Sequence, residues 1–291
     1  MALRVAAIDF LNPAPLMWDF NHDPFRAALR LRYDVHLTFP SRCAEDLLTG
    51  RADIGLIPVA ALTPDLLIVP GCAIASLHRV RSIQLIVRGP RELAQVRTIA
   101  ADTASRSSVA YAKLLFRHFL GTDPEFKPAS ANVEAMLEHA DAALLIGDPA
   151  LLALEHRVEI EARVGPCHWY DLAEEWHTRT GLPWVAAVWA VRRDAVSTGD
   201  GTDDRWQIIQ DFNLSRDHGL AHIDALVIEW STRIALPPAT ISTYLKENIH
   251  YILDESCVQA IQTFRALAAQ AGILDPLPEL LFLDEGSGHK E

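Results

Sequence analysis

The residues best equipped for chemistry in this chain are amides, hydroxyls and one carboxylate, each placed where an apolar run gives way to a polar turn. Asn12 stands in Asp9-Phe10-Leu11-Asn12-Pro13-Ala14-Pro15-Leu16, whose two prolines fix the backbone on either side of Ala14. Its side chain can donate and accept at once, which suits a ligand rich in oxygen; a turn-forming Asn before Pro is the plainer reading. A second turn, Asp102-Thr103-Ala104-Ser105-Arg106-Ser107-Ser108-Val109, sets three serines and a guanidinium before a helical pattern. Unpaired N–H groups at such a helix start, together with these side chains, can cradle a carboxylate or phosphate. Ser105 or Ser107 can equally serve as a simple N-cap. Ser82, in Arg79-Val80-Arg81-Ser82-Ile83, reads either as an ordinary strand serine or as a hydroxyl beside a hinge. Asp148, in Ile146-Gly147-Asp148-Pro149, can contact a ligand across from Pro58 and can also cap a helix that opens with proline. Nothing matches a G-x-S-x-G elbow, a Walker loop or G-x-G-x-x-G, and the twelve histidines show no metal-ligand spacing. The expected inventory therefore holds no metal and no cofactor, and any reaction must run on positioning and hydrogen bonds.

The elements that must position these residues come in two similar sets. Leu3-Arg4-Val5-Ala6-Ala7-Ile8-Asp9 is echoed by Val96-Arg97-Thr98-Ile99-Ala100-Ala101-Asp102, and Ala52-Asp53-Ile54-Gly55-Leu56-Ile57 by Ala140-Asp141-Ala142-Ala143-Leu144-Leu145. Short apolar runs ending in polar turns are the pattern of buried parallel strands, and ligands of open α/β sheets bind beyond their carboxyl ends. Strands are expected at 5–8, 35–39, 54–57, 67–69 and 83–87, then at 98–101 and 142–146. Helices are expected at 41–48, 107–120, 149–154 and 171–179. The run Leu182 to Val191 can cross back to the first half, and the remainder from Asp203 reads as helical, through Ile249 and Ile252. The tail 284–291 reads as disordered. The expected fold is α/β: a two-lobe architecture like that of periplasmic binding proteins, with type II topology and an interlobe cleft. Residues 1–88 plus 190–291 are expected to form a discontinuous first lobe and 89–189 the second.

Composition narrows the partners. A chain of 291 residues with half its residues apolar can bury two cores, and a net charge of −12 argues against nucleic acid or an anionic membrane surface. No apolar run is long enough to span a bilayer, and the first residues lack the pattern of a secretory signal. Cys43, Cys72, Cys167 and Cys257 are scattered, as reduced thiols are. Cytoplasmic location and a small-molecule partner are the expectation, with oligomeric state open.

Several stretches together carry a resemblance. Phe10-Leu11-Asn12-x-x-Pro15-Leu16, Asp53-Ile54-Gly55-Leu56-Ile57-Pro58-Val59, Arg79-Val80-x-Ser82-Ile83, Asp141 to Asp148 and Gly181-Leu182-Pro183-Trp184-Val185 resemble, in order, the chorismate dehydratases of the futalosine route to menaquinone. The resemblance implies a hydro-lyase that converts chorismate to 3-[(1-carboxyvinyl)oxy]benzoate and water without a cofactor. It implies that Asn12 and Ser82 match the family's active-site Asn and Ser, and that Ser105-Arg106-Ser107-Ser108 matches its carboxylate-binding turn. Position 107 is commonly Thr in that family, and the serine keeps the hydroxyl. Two proton acceptors stay open, Asp148 and the substrate's own enolpyruvyl carboxylate, the latter favoured by the resemblance. Two other readings compete. One is a binding or sensor protein for a small carboxylate; the other is the sister naphthoate-forming enzyme, whose Ser-Pro-Cys-Pro-Asn-Asp loop is absent here.

Overall fold

The computed structural model describes residues 2–196 and 205–284. Its strands are β1 (Leu3–Ile8), β2 (Tyr33–Thr38), β3 (Ile54–Pro58), β4 (Leu66–Ser76), β5 (Ile83–Arg88), β6 (Thr98–Asp102), β7 (Glu125–Ala129), β8 (Ala142–Ile146), β9 (Cys167–Asp171), β10 (Trp184–Arg192) and β11 (His250–Leu253). They form a six-stranded sheet ordered β11-β4-β10-β3-β1-β2 and a five-stranded sheet ordered β7-β6-β8-β5-β9.

The repeat seen in the sequence is a repeat of topology and of hydrogen bonds. In one sheet β1 runs parallel to β2 and β3 and then β10 enters antiparallel; in the other β6 runs parallel to β7 and β8 and then β5 enters antiparallel. The aspartate before each third strand ties down the start of its neighbour: Asp53 accepts from the Arg4 amide at 2.9 Å, and Asp141 from the Arg97 amide at 2.8 Å. The incoming strand then donates to the same residue's carbonyl, from Arg192 to Asp53 and from Arg88 to Asp141, both at 3.0 Å. β3 and β8 are buried at every position, as strands covered on both faces must be.

These pairings move the expected lobe boundaries. β5 belongs to the five-stranded sheet and β10 to the six-stranded one, so the chain changes sheets between Ser76 and Ile83 and again between Asp171 and Trp184, earlier than 88/89 and 189/190. Apolar patterning marks a strand but does not say which sheet it joins.

Other differences have local causes. β4 is far longer than the expected 67–69 because Pro70 and Gly71 sit in a bulge: Val188 pairs with Ala73, yet Ala190 pairs with Ile68. β7 is a largely exposed strand and escapes an apolar search. The expected helical stretch through Ile252 is helical only to Asn248, and Tyr251 and Leu253 then turn inward on β11 against the edge of β4. The Ser107 helix runs regularly to Leu114 and widens over Leu115–Phe119. Of the tail expected to be disordered, 285–291 lies outside the described residues.

One contiguous core runs through both lobes and the crossing segments, with a smaller cluster on the outer face of the five-stranded sheet around Val133, Met136 and Leu137. The C-terminal helices complete the first lobe. Helix Arg205–Ala221 packs under the Asn12 loop, and helix Glu255–Gln270 reaches the second lobe, where Phe264 stacks on Tyr111 at 3.7 Å.

Candidate active site

Four strand ends meet at the cleft. The loops after β1 and β3 supply one wall, those after β6 and β8 the other, and the two crossings form its floor, as expected for a ligand site beyond parallel strand ends. The space measures about 570 Å³, its open mouth included. Ile8, Ile74, Val80, Ile83, Ile146 and Trp184 make much of the surface apolar. Asn12, Pro58, Ser82, Ser105, Arg106, Ser107, Ser108 and Gly147 all line it, so the structure gathers every residue proposed from sequence except Asp148.

Asn12 is held from below rather than by its own side chain. Ser215, on helix Arg205–Ala221, donates to the Leu16 carbonyl at 2.8 Å and accepts from the Asp19 amide at 3.0 Å. Gly219 of the same helix lets the Pro15 carbonyl approach so closely that any Cβ would collide with it. The Asn12 Oδ1 atom is buried and has no hydrogen-bond partner among the described residues. Such an atom is costly unless something bound satisfies it.

On the other wall the helix Ser107–Leu114 closes its first bond at Ala110, whose amide donates to the Arg106 carbonyl at 3.0 Å. The amides before Ala110 lie outside that ladder. No side chain caps this helix, so the N-cap reading of Ser105 and Ser107 fails. The Ser105 hydroxyl is buried without a partner among the described residues. The Ser107 hydroxyl is spent between the lobes: it donates to the Ala186 carbonyl at 3.1 Å and accepts from the Ala60 amide at 3.2 Å. Arg106 is exposed at the mouth and is the one charged residue among the described lining residues. The result is an apolar chamber with a hydroxyl, amide and guanidinium end, matched to a ring bearing a carboxylate.

Asp148 works as a latch. Its Oδ1 accepts from the Leu11 amide across the cleft at 2.9 Å, beside Asn12. Burial pushes its pKa up to about 6, with the nearby Asp9 charge adding to the rise. Asp9 itself pairs with Arg233 at 3.1 Å and does not line the cavity. Next to the latch, Gly147 has φ +61°, and a Cβ there would lie 2.6 Å from the Phe10 ring, so the two lobes touch through a ring laid on a glycine.

Ser82 is fixed by Gly147 and by a residue that the sequence did not single out, Tyr244. The Tyr244 hydroxyl donates to Ser82 Oγ at 2.8 Å, and the Gly147 amide to the Ser82 carbonyl at the same distance. Trp184, the first residue of β10, stacks on Tyr111 at 3.7 Å and closes the floor. Trp184 had a signal, in Gly-Leu-Pro-Trp-Val, whereas Tyr244 had none and lies 162 residues from its partner.

Elsewhere, His250, Asp254 and Cys257 bring ligand atoms within 4.8 Å of one another, a grouping that the histidine spacing did not suggest. Asp254 is already engaged there as the N-cap of the helix that follows, accepting from the Cys257 amide, Ser256 and His250. All four cysteines are buried and free, and no helix among the described residues is long and apolar enough to cross a membrane.

The fold is shared widely. A protein from Archaeoglobus fulgidus superposes with a TM-score of 0.70 at 15% identity, over 94% of this chain and 98% of that one. A Candida albicans protein described as having the generic periplasmic binding protein fold gives 0.68 at 13%, over 99% of each. The alkanesulfonate-binding protein SsuA from Xanthomonas axonopodis gives 0.63 at 19%, over 97% and 96%. At these identities the likeness establishes the two-lobe α/β fold alone. In sequence, the chain is 29% identical over 247 residues to the chorismate dehydratase of Thermus thermophilus, covering 81% of this chain and 87% of that protein. Residues 3–270, which contain both walls of the cleft and the Tyr244 segment beneath it, match one family throughout, and the chain belongs to the menaquinone biosynthesis family.

Proposed function

We propose that the protein is a chorismate dehydratase, removing water from chorismate to give 3-[(1-carboxyvinyl)oxy]benzoate in the futalosine route to menaquinone. The observation that carries this reading is the placement of Asn12 Oδ1 and Ser105 Oγ, two buried oxygens with no protein partner among the described residues, on opposite walls of a cleft that also holds Ser82 and Arg106 amid apolar side chains. Chorismate offers both kinds of surface, a flat ring and hydrogen-bonding groups at its edge. In this reading Arg106, the Ser105 hydroxyl and the amides at the start of the Ser107 helix hold the ring carboxylate. Asn12 and Ser82 orient the ring hydroxyl and the enolpyruvyl group.

The reaction balances without an added reagent. The proton on the ring carbon that bears the ether oxygen is removed, its bonding electrons become the new ring double bond, and the neighbouring hydroxyl departs with a proton as water. Aromatisation supplies much of the driving force. Asp148 is an unsuitable proton acceptor, because it lies off the cavity lining with its Oδ1 engaged by the Leu11 amide. The enolpyruvyl carboxylate of the substrate takes the proton instead and gives it up to the departing hydroxyl, so that water leaves and the carboxylate is regenerated.

The test is to mix purified protein with chorismate, follow loss of the cyclohexadiene absorbance and weigh the product. Loss of one water with gain of an aromatic ring is the expected result. Chorismate that survives intact while raising the Tm would replace this reading with that of a binding protein.

A further inference from the structure

Ser82 is reached through a left-handed backbone that, among the described residues, is otherwise taken only by glycines. Arg81 is the one non-glycine there with positive φ, at +64°. That region is unfavourable for a residue with a Cβ, and such conformations persist only where surrounding structure enforces them, often at functional sites. Here the enforcement is visible. The buried carboxylate of Asp171 accepts from the Arg81 amide at 2.6 Å and the Val80 amide at 3.3 Å, while the Gln84 side-chain amide donates to the Arg81 carbonyl at 3.0 Å. The backbone of Ser82 is thereby set, which leaves its hydroxyl to be aimed.

Tyr244 does the aiming. Its ring is buried, and burial together with the nearby Asp148 and Asp171 carboxylates holds its pKa above the ordinary phenol range, so the hydroxyl keeps its proton. That proton is directed to Ser82 Oγ, which accepts the hydrogen bond at 2.8 Å. Beside Ser82 the cavity is lined by Val80 and Ile83, neither of which offers a side-chain acceptor for the serine proton. We propose that Tyr244 is the positioning residue for Ser82: by occupying one lone pair of its oxygen it turns the serine proton into the cleft, toward the hydroxyl that chorismate loses. The proposal rests on the dehydratase reading above. No proton leaves Tyr244 itself, because a phenolate at that depth would face two carboxylates.

The experiment measures kcat and KM on chorismate, with Tm, for the wild type, Tyr244→Phe, Ser82→Ala and the double variant. Tyr244→Phe is expected to lower kcat about tenfold, the scale of one hydrogen bond, with KM within about twofold. In the Ser82→Ala background the same replacement is expected to change kcat no further, since coupled residues are non-additive. Equal losses in both backgrounds would mean that Tyr244 acts by packing alone and would overturn the proposal. Fluorotyrosine placed at position 244 keeps the ring and strengthens the donor, so kcat should hold; a loss like that of Tyr244→Phe would also overturn it. A wild type that leaves chorismate unchanged would overturn the dehydratase reading and this proposal together.

Discussion

Asn12 presents to the cleft an acceptor that no protein group uses among the described residues. Its Oδ1 makes no hydrogen bond to the protein there, so Asn12→Ala should change the Tm of the free protein little. The same change should lower kcat/KM on chorismate about 100-fold, the scale of losing one preorganised hydrogen-bonding group in a dry site. Thermal melts and steady-state kinetics on one preparation check both halves. Asp148 makes the opposite case. Its folded pKa, about 6, exceeds that of an unfolded aspartate, so the folded state binds its proton more tightly. Its contribution to stability is fully present below about pH 3.9, the unfolded value, and is lost as pH rises through 6. Asp148→Asn keeps an acceptor for the Leu11 amide and removes the titration. The Tm of Asp148→Asn minus that of wild type should therefore grow between pH 4 and 7, and turnover should persist; a flat difference would show that Asp148 is not the titrating latch described here.

At the scale of elements, a helix distant in sequence determines where the first loop lies. Helix Arg205–Ala221 presents Ser215 to the Leu16 carbonyl and Gly219 to the Pro15 carbonyl. Gly219→Ala would force the loop off the helix, and overpacking of this kind costs about 1–3 kcal/mol. Denaturant midpoints should fall accordingly, and because the displaced segment carries Asn12, kcat/KM should fall with them. Retained activity in a destabilised Gly219→Ala protein would show that the loop finds its place without the helix.

For the whole molecule, the contacts that matter cross the cleft: Phe10 over Gly147, the Leu11 amide to Asp148, and Ser107 between Ala60 and Ala186. Two lobes joined by two crossings can hinge about them. Gly147→Ala meets both a left-handed backbone and the Phe10 ring, so it should hold the lobes apart. Small-angle scattering is expected to give a larger radius of gyration than wild type, and KM for chorismate should rise more than kcat falls. An unchanged radius with unchanged KM would mean that Phe10 simply swings aside.

How much was legible in the sequence follows from what is local. The paired strands with their aspartates, the loop around Asn12 and the serine-rich turn are short patterns that mark where a strand ends or a helix starts, and the strands, loop and turn lie where expected, although the hydrogen bonds that fix them reach residues far away in the chain. Tertiary structure alone decided which sheet β5 and β10 join, because an apolar strand carries no mark of its neighbours. It alone turned Tyr251 and Leu253 into an edge strand, since β4 offers the free edge that a helical pattern does not foresee. It also moved Asp148 from the cavity to the latch and set Tyr244 beneath Ser82. Those roles depend on distances between residues far apart in the chain, which exist only once the two lobes and the C-terminal segment have packed around one core.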